Sequence, residues 1–129
     1  MKIHESAEDY LETILMLRTR NGSVRSIDIV HEMNFSKPSV SVAMKRLREN
    51  GYIEMDADGF ISLLGPGEEI AQRIYTRHRV LTKALIQLGV NPETAAQDAC
   101  KMEHDLSEES FACIRARVHP ETMESEPKE

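Results

Sequence analysis

Three side chains able to hold a metal ion stand close together in the stretch DACKMEHDLS, residues 98–107, where Cys100, Glu103 and His104 occupy relative positions 0, +3 and +4. On a helix, residues three and four apart are surface neighbours, so a thiol, a carboxylate and an imidazole at this spacing can converge on one ion. The same residue types have ordinary uses too, because cysteine serves as a small core residue and glutamate and histidine are common on helices. Other parts of the chain bear on the choice. Asp9 and Glu12 are again three apart, away from the apolar line of a helical pattern, where a carboxylate pair also complements the positive end of a helix dipole. His78 lies near the middle of a long amphipathic stretch. Two helices offering donors at i and i+3, with an imidazole between them, say more together than any one does alone.

The elements that must position these residues follow from periodicity and punctuation. Ala7, Tyr10, Leu11, Ile14 and Leu17 predict a first helix opened by a capping box at Ser6 and Asp9 and ended at Asn21-Gly22. Ser26 is expected to cap a short second helix with Ile27, Val30 and Met33 inward, and Asn34-Phe35 to form the turn. Ser36 then opens a third helix with Pro38 in its tolerant first turn, Val40, Met44 and Leu47 as its seam, and Gly51 as its stop. YIEM and FISLL read as two strands around Asp56-Ala57-Asp58-Gly59, a hairpin that forms a wing after the helix-turn-helix. After Gly65-Pro66-Gly67 a long helix runs to about Leu88, buried along Ile70, Ile74, Leu81 and Leu85. A helix capped by Asn91-Pro92 carries the donor triplet, and Ser107 caps a last one. Cys113, among Phe111, Ala112 and Ile114, reads as core.

The fold class is therefore mainly α with a small β-hairpin wing. A winged helix-turn-helix DNA-binding domain is expected over residues 1–66, a helical metal-binding and dimerisation domain over 67–119, and a polar, disordered tail over 120–129. At 129 residues and 40% hydrophobic content the chain can build its core without staples. No apolar run reaches the ~20 residues of a membrane span, the start MKIHESAEDY lacks the features of a signal peptide, and two cysteines make no disulfide framework, so a cytoplasmic location is expected. A net charge of −6 argues against a nucleic-acid partner on average. The local field differs: Met33 to Arg48 carries Lys37, Lys45, Arg46 and Arg48 and no acidic residue.

Taken in order, SAEDYLETI, SKPSVSVAMKRL, YTRHRVL and DACKMEHDLS resemble the iron- and manganese-dependent transcription regulators related to the diphtheria toxin repressor and the manganese transport regulator. The resemblance covers residues 5–118 and implies metal ligation by Asp9, Glu12, His78, Cys100, Glu103 and His104. The outer side of the third helix offers Lys37, Ser39, Ser41, Val42, Lys45 and Arg46 as groove and phosphate candidates, with Pro38 shaping its start, and the resemblance implies DNA approach at Ser36, Pro38, Ser39 and Ser41. The chain stops without the SH3-like domain of longer members, as in the short manganese type. It is a hybrid, however. The manganese branch has a glutamate at the place of Cys100, and the iron branch has a methionine at that of Asp9. Thr82 and Gln97 stand where the iron branch carries a further glutamate and histidine, and Val42 replaces a common glutamine.

With Cys100 as thiolate, the implied ligands carry four negative charges, enough for two divalent ions per chain. Carboxylates favour Mn²⁺, whereas the thiolate pulls towards Fe²⁺, Co²⁺ or Zn²⁺, so Mn²⁺ is expected slightly ahead of Fe²⁺, with Zn²⁺ or Co²⁺ as other possible ions. The implied function is metal-activated repression of metal-uptake genes by a homodimer on a pseudo-palindromic operator, with no catalysis and no membrane partner. Two rivals come from other classes: a winged-helix regulator answering to a small organic ligand or to thiol oxidation, and a two-metal hydrolase.

Overall fold

A computed structural model describes residues 5–118, and its chain falls into two compact units that divide between Gln72 and Arg73. In the first unit, α1 (Glu5–Asn21) buries Tyr10, Leu11, Ile14, Leu15 and Leu17 at helical spacing. The helix is already formed at Glu5, so Ser6 lies inside it rather than at its cap. α2 (Ser26–Met33) also starts one residue off expectation: its N-cap is Arg25, whose backbone N–H donates to the Asp28 carboxylate at 2.9 Å, so no cap hydroxyl is needed. Its inward face differs as well. Ile29 is fully buried and shares a face with Val30 and Met33, while Ile27 lies on the far side and is 39% exposed.

Asn34 makes the turn in the left-handed region at φ 56, which asparagine tolerates better than most residues. α3 (Lys37–Glu49) begins as expected: Ser36 Oγ accepts the N–H of Ser39 at 3.2 Å, and Pro38 sits where no N–H is required. Val40, Met44 and Leu47 form its buried seam, and Gly51 ends the run at φ +79. β1 (Ile53–Met55) and β2 (Ile61–Leu63) pair antiparallel with Ile53 opposite Leu63 and Met55 opposite Ile61. At the tip, Asp56 Oδ1 accepts the N–H groups of Asp58 and Phe60, both at 2.9 Å. The hairpin gains a third rung from the start of the helix-turn-helix, where the Ile61 N–H donates to the Val24 carbonyl at 2.8 Å and Arg25 bridges Phe60.

α4 (Gly65–Gln87) opens against this hairpin, and the boundary between the units falls within it. Gly67 is obligatory there, since a Cβ at that position would lie 2.1 Å from the Tyr52 carbonyl oxygen. Arg18 holds Glu68 in the same unit with a two-pronged fork, at 2.7 and 3.0 Å.

The second unit comprises the rest of α4, α5 (Pro92–Met102) and α6 (Glu108–Arg117). Asn91 caps α5 by accepting the Glu93 N–H, and Ser107 caps α6 by accepting that of Ser110. Val80, Phe111 and Val118 form one core cluster with Ala84 and Ile114 packed beside them, and Ile74, Leu81, Ala95 and Ala99 are buried in the same unit. Cys113 is exposed and not core, because Phe111, Ile114 and Val118 define the inner face of α6 and Cys113 is turned away from it. Both cysteines are free thiols. The expected tail at 120–129 lies outside the described residues. No helix among those residues is long and apolar enough to cross a membrane.

Candidate functional site

Within the second unit, α4 and the end of α5 bring three donors together. His78 Nδ1 lies 3.0 Å from Oε2 of Glu103 and 3.7 Å from Sγ of Cys100, and one ligand atom from each of the three residues falls within 4.8 Å of the others. The helical geometry expected of the triplet holds only in part. α5 ends at Met102, Glu103 is its C-cap, and His104 follows in a turn. Cys100 therefore projects from the last helical turn, while Glu103 is aimed by the helix end. His104 reaches back: its Nε2 stands 3.6 Å from Oε1 of Glu103, too long for a hydrogen bond.

Glu103 is the unusual member, because its side chain is fully buried. A carboxylate out of water needs charge or hydrogen bonds at both oxygens. Oε2 faces His78, but Oε1 is buried with no hydrogen-bond partner among the described residues. Burial of His78 works against its charged form, yet the hydrogen bonds and negative charges of Cys100 and Glu103 outweigh it and raise the ring's pKa to about 11. The ring thus serves as the local counter-cation. The donor set fits a divalent metal on two counts. Bonds of ~2.0 to 2.3 Å to nitrogen, oxygen and sulfur put neighbouring ligand atoms ~3 to 4 Å apart, as seen here, and the buried Oε1 has no hydrogen-bond partner among the described residues and only the more distant His104 ring beside it. Thr82, at a place where the iron branch would have a ligand, donates its hydroxyl to the His78 carbonyl at 2.7 Å and is satisfied within its own helix.

Asp9 and Glu12 belong to the first unit, three residues apart on one face of α1, with Asp9 partly and Glu12 almost wholly buried. In the same unit the eight expected DNA-contact residues, Ser36, Lys37, Pro38, Ser39, Ser41, Val42, Lys45 and Arg46, are all exposed. Lys37, Lys45 and Arg46 bring three positive charges to the outside of α3. Val42, 53% exposed beside them, is an apolar side chain held in water on a charged face. Ser36 donates its hydroxyl to that of Ser39 at 2.9 Å while accepting the Ser39 amide, so the Ser36 side chain shapes the helix start.

Arg77 was not among the expected site residues. It is 3% exposed in its side chain, adjoins His78 on α4, and donates to the carbonyl of Glu103 at 3.1 Å. An arginine in a helix of mixed charge looks like a solvated residue, and its acceptors lie 26 and more positions away.

Comparison with known proteins identifies both halves of the chain. Residues 2–59 match the family model described as the iron dependent repressor N-terminal DNA binding domain, and residues 65–126 match the iron dependent repressor metal binding and dimerisation domain. The transcriptional regulator MntR of Escherichia coli is 38% identical over 111 residues, 86% of this chain and 72% of that protein. The HTH-type transcriptional regulator MntR of Lysinibacillus sphaericus is 30% identical over 122 residues, 95% of this chain and 86% of that protein. Among solved structures, a manganese-dependent transcriptional repressor in complex with manganese has a TM-score of 0.77 at 25% identity. That match covers 87% of this chain and 52% of the other, so the chain spans about half the length of that protein.

Proposed function

Since the chain belongs to the iron-dependent repressor family of transcription regulators, we propose that it is a metal-activated DNA-binding repressor and not an enzyme, acting as a homodimer in the cytoplasm. The observation that carries this reading is the His78, Cys100 and Glu103 cluster, with a buried carboxylate oxygen that has no hydrogen-bond partner among the described residues. The proposed metal is Mn²⁺ or Fe²⁺, since two carboxylate oxygens and an imidazole suit Mn²⁺ while the thiolate favours the softer ion, and Zn²⁺ or Co²⁺ would also be accepted. The wider ligand set of Asp9, Glu12 and His104, and a count of two ions per chain, rest on the sequence resemblance. Nothing in the fold or the comparisons favours a hydrolase, a small-molecule sensor or a thiol switch.

A bound divalent ion supplies the positive charge that these donors otherwise take from a protonated imidazole. His78, whose Nδ1 faces both Glu103 and Cys100, would have to release that nitrogen's proton to act as a ligand. Glu103 would meet the ion from a fully buried position, while Cys100 would approach it from the exposed side. On the DNA side, Lys45 and Arg46 neutralise phosphates, Lys37 lies at the start of α3, and Val42 meets a thymine methyl rather than an adenine edge. The proposed operator is a pseudo-palindrome whose half-sites lie about one helical turn, ~34 Å, or a multiple apart, upstream of metal-uptake genes.

The test is selection of duplexes from a randomised pool by the Mn²⁺-loaded protein, followed by binding of the enriched duplex with Mn²⁺, Fe²⁺, Co²⁺ or Zn²⁺ and with chelator. Metal-dependent retention is expected. Binding that is indifferent to chelator would remove the metal from the mechanism.

A further inference from the structure

Arg77 is an arginine almost entirely removed from water, and ligation by itself gives it no task. Its Nη1 donates to the carbonyls of Glu103 at 3.1 Å and Leu106 at 2.7 Å. Its Nη2 donates to the Glu108 carboxylate at 2.5 Å, and the guanidinium lies 5.2 Å from the centroid of the Phe111 ring. These partners span the whole connection from the end of α5 to the first residues of α6. The connection needs such a clamp, because the last carbonyls of a helix have no partner within it and frayed ends wander. Glu103 is the C-cap itself, so its side chain can be no better placed than its backbone.

We propose that Arg77 is a positioning residue for the metal site, holding the Glu103 backbone so that the carboxylate stays aimed at His78 and Cys100. Consecutive positions on α4 then carry the ligand His78 and the clamp for a second ligand, and both are set by one helical turn. Arginine suits the task where lysine does not, since its planar fork addresses two carbonyls and a carboxylate at once while its face lies near an aromatic ring. Outer partners of this kind typically change metal affinity by about 10- to 100-fold when removed. The inference rests on the metal-binding reading of the cluster.

Co²⁺ is the probe, because its visible absorption reports ligand geometry independently of DNA binding. Titrations of wild type, Arg77→Met, Glu103→Gln and the double variant form a cycle. Arg77→Met is expected to weaken Co²⁺ binding by about 10- to 100-fold and to alter the spectrum. In the Glu103→Gln background the same change should alter affinity by less than ~3-fold, because no carboxylate remains to be aimed. If Arg77→Met does not fold, as judged by far-ultraviolet circular dichroism, Arg77→Lys is read by the same criteria, its single ammonium leaving part of the clamp undone. An unchanged affinity and spectrum overturns the proposal, as does an equal loss in both backgrounds, which marks a clamp that serves folding alone. Wild type that takes up no Co²⁺ overturns the metal-binding reading itself and this inference with it.

Discussion

Replacing Glu103 by glutamine keeps the shape of a fully buried side chain and removes one negative charge 3.0 Å from the His78 ring. At an effective dielectric of about 20, a carboxylate charge centred ~2.5 Å from a divalent ion interacts by roughly 13 kcal/mol. If desolvation cancels four fifths of that, about 2.7 kcal/mol remains, a loss of ~100-fold in affinity. The consequence can be read as heat stability. At free Mn²⁺ of about 100 times the dissociation constant, wild type gains ~2.7 kcal/mol on loading, whereas a variant binding ~100-fold more weakly gains ~0.4 kcal/mol. For 129 residues the unfolding entropy is about 0.27 kcal/mol/K, so the metal-induced rise in melting temperature should shrink from about 10 °C to ~1.5 °C. Paired melts with Mn²⁺ and with chelator measure it. A Glu103→Gln protein that keeps the full rise would show that Glu103 is no ligand and that its unpartnered oxygen is an accident of packing.

Arg46→Ala should weaken binding to every duplex and lower the slope of log affinity against log salt by about one unit, and an unchanged slope would place Arg46 off the phosphates. Val42→Gln should instead change which base is preferred at one operator position, which selection from a randomised pool would reveal. The Arg18 fork holds the Glu68 carboxyl down to about 2, so its contribution to stability is present above the ordinary value of 4.5 and fades as pH falls towards 2. With both side chains over a third exposed, Glu68→Gln should cost less than ~1 kcal/mol at pH 7 and only a small remainder of that at pH 2, where half of the carboxyl is still charged, measured by denaturant unfolding at both. Cys100→Glu exchanges a soft ligand for a hard one of the same charge, so affinity should fall more for Zn²⁺ and Co²⁺ than for Mn²⁺, and equal changes in competition titrations would make Cys100 a bystander.

α3 could be read closely from sequence because every cue is local: a serine cap, a proline in the first turn, a seam at 3.6-residue spacing and a glycine stop. The hairpin was equally legible from its Asp and Gly tip. α2 was phased wrongly at Ile27 because eight residues with four apolar positions allow two faces, and only packing chooses between them. Cys113 misled for a related reason, since four consecutive apolar residues, 111–114, have no helical period. The donor cluster was half legible. Spacing brought Cys100 and Glu103 together, but no proline or glycine announced that α5 would stop at Met102 and leave Glu103 as a cap. Arg77 was beyond reach, because its role is defined by carbonyls on a distant connection.

The rung that joins Val24 and Arg25 to the hairpin couples two pieces that are usually thought of separately. Arg25 is at once the residue that starts α2 and a strand partner of Phe60, with its guanidinium 4.9 Å from the centroid of that ring. The hairpin therefore cannot swing without prising at the first turn of α2. Whatever displaces the hairpin must therefore also break or bend these contacts at the start of α2, so the two are one mechanical piece within the first unit.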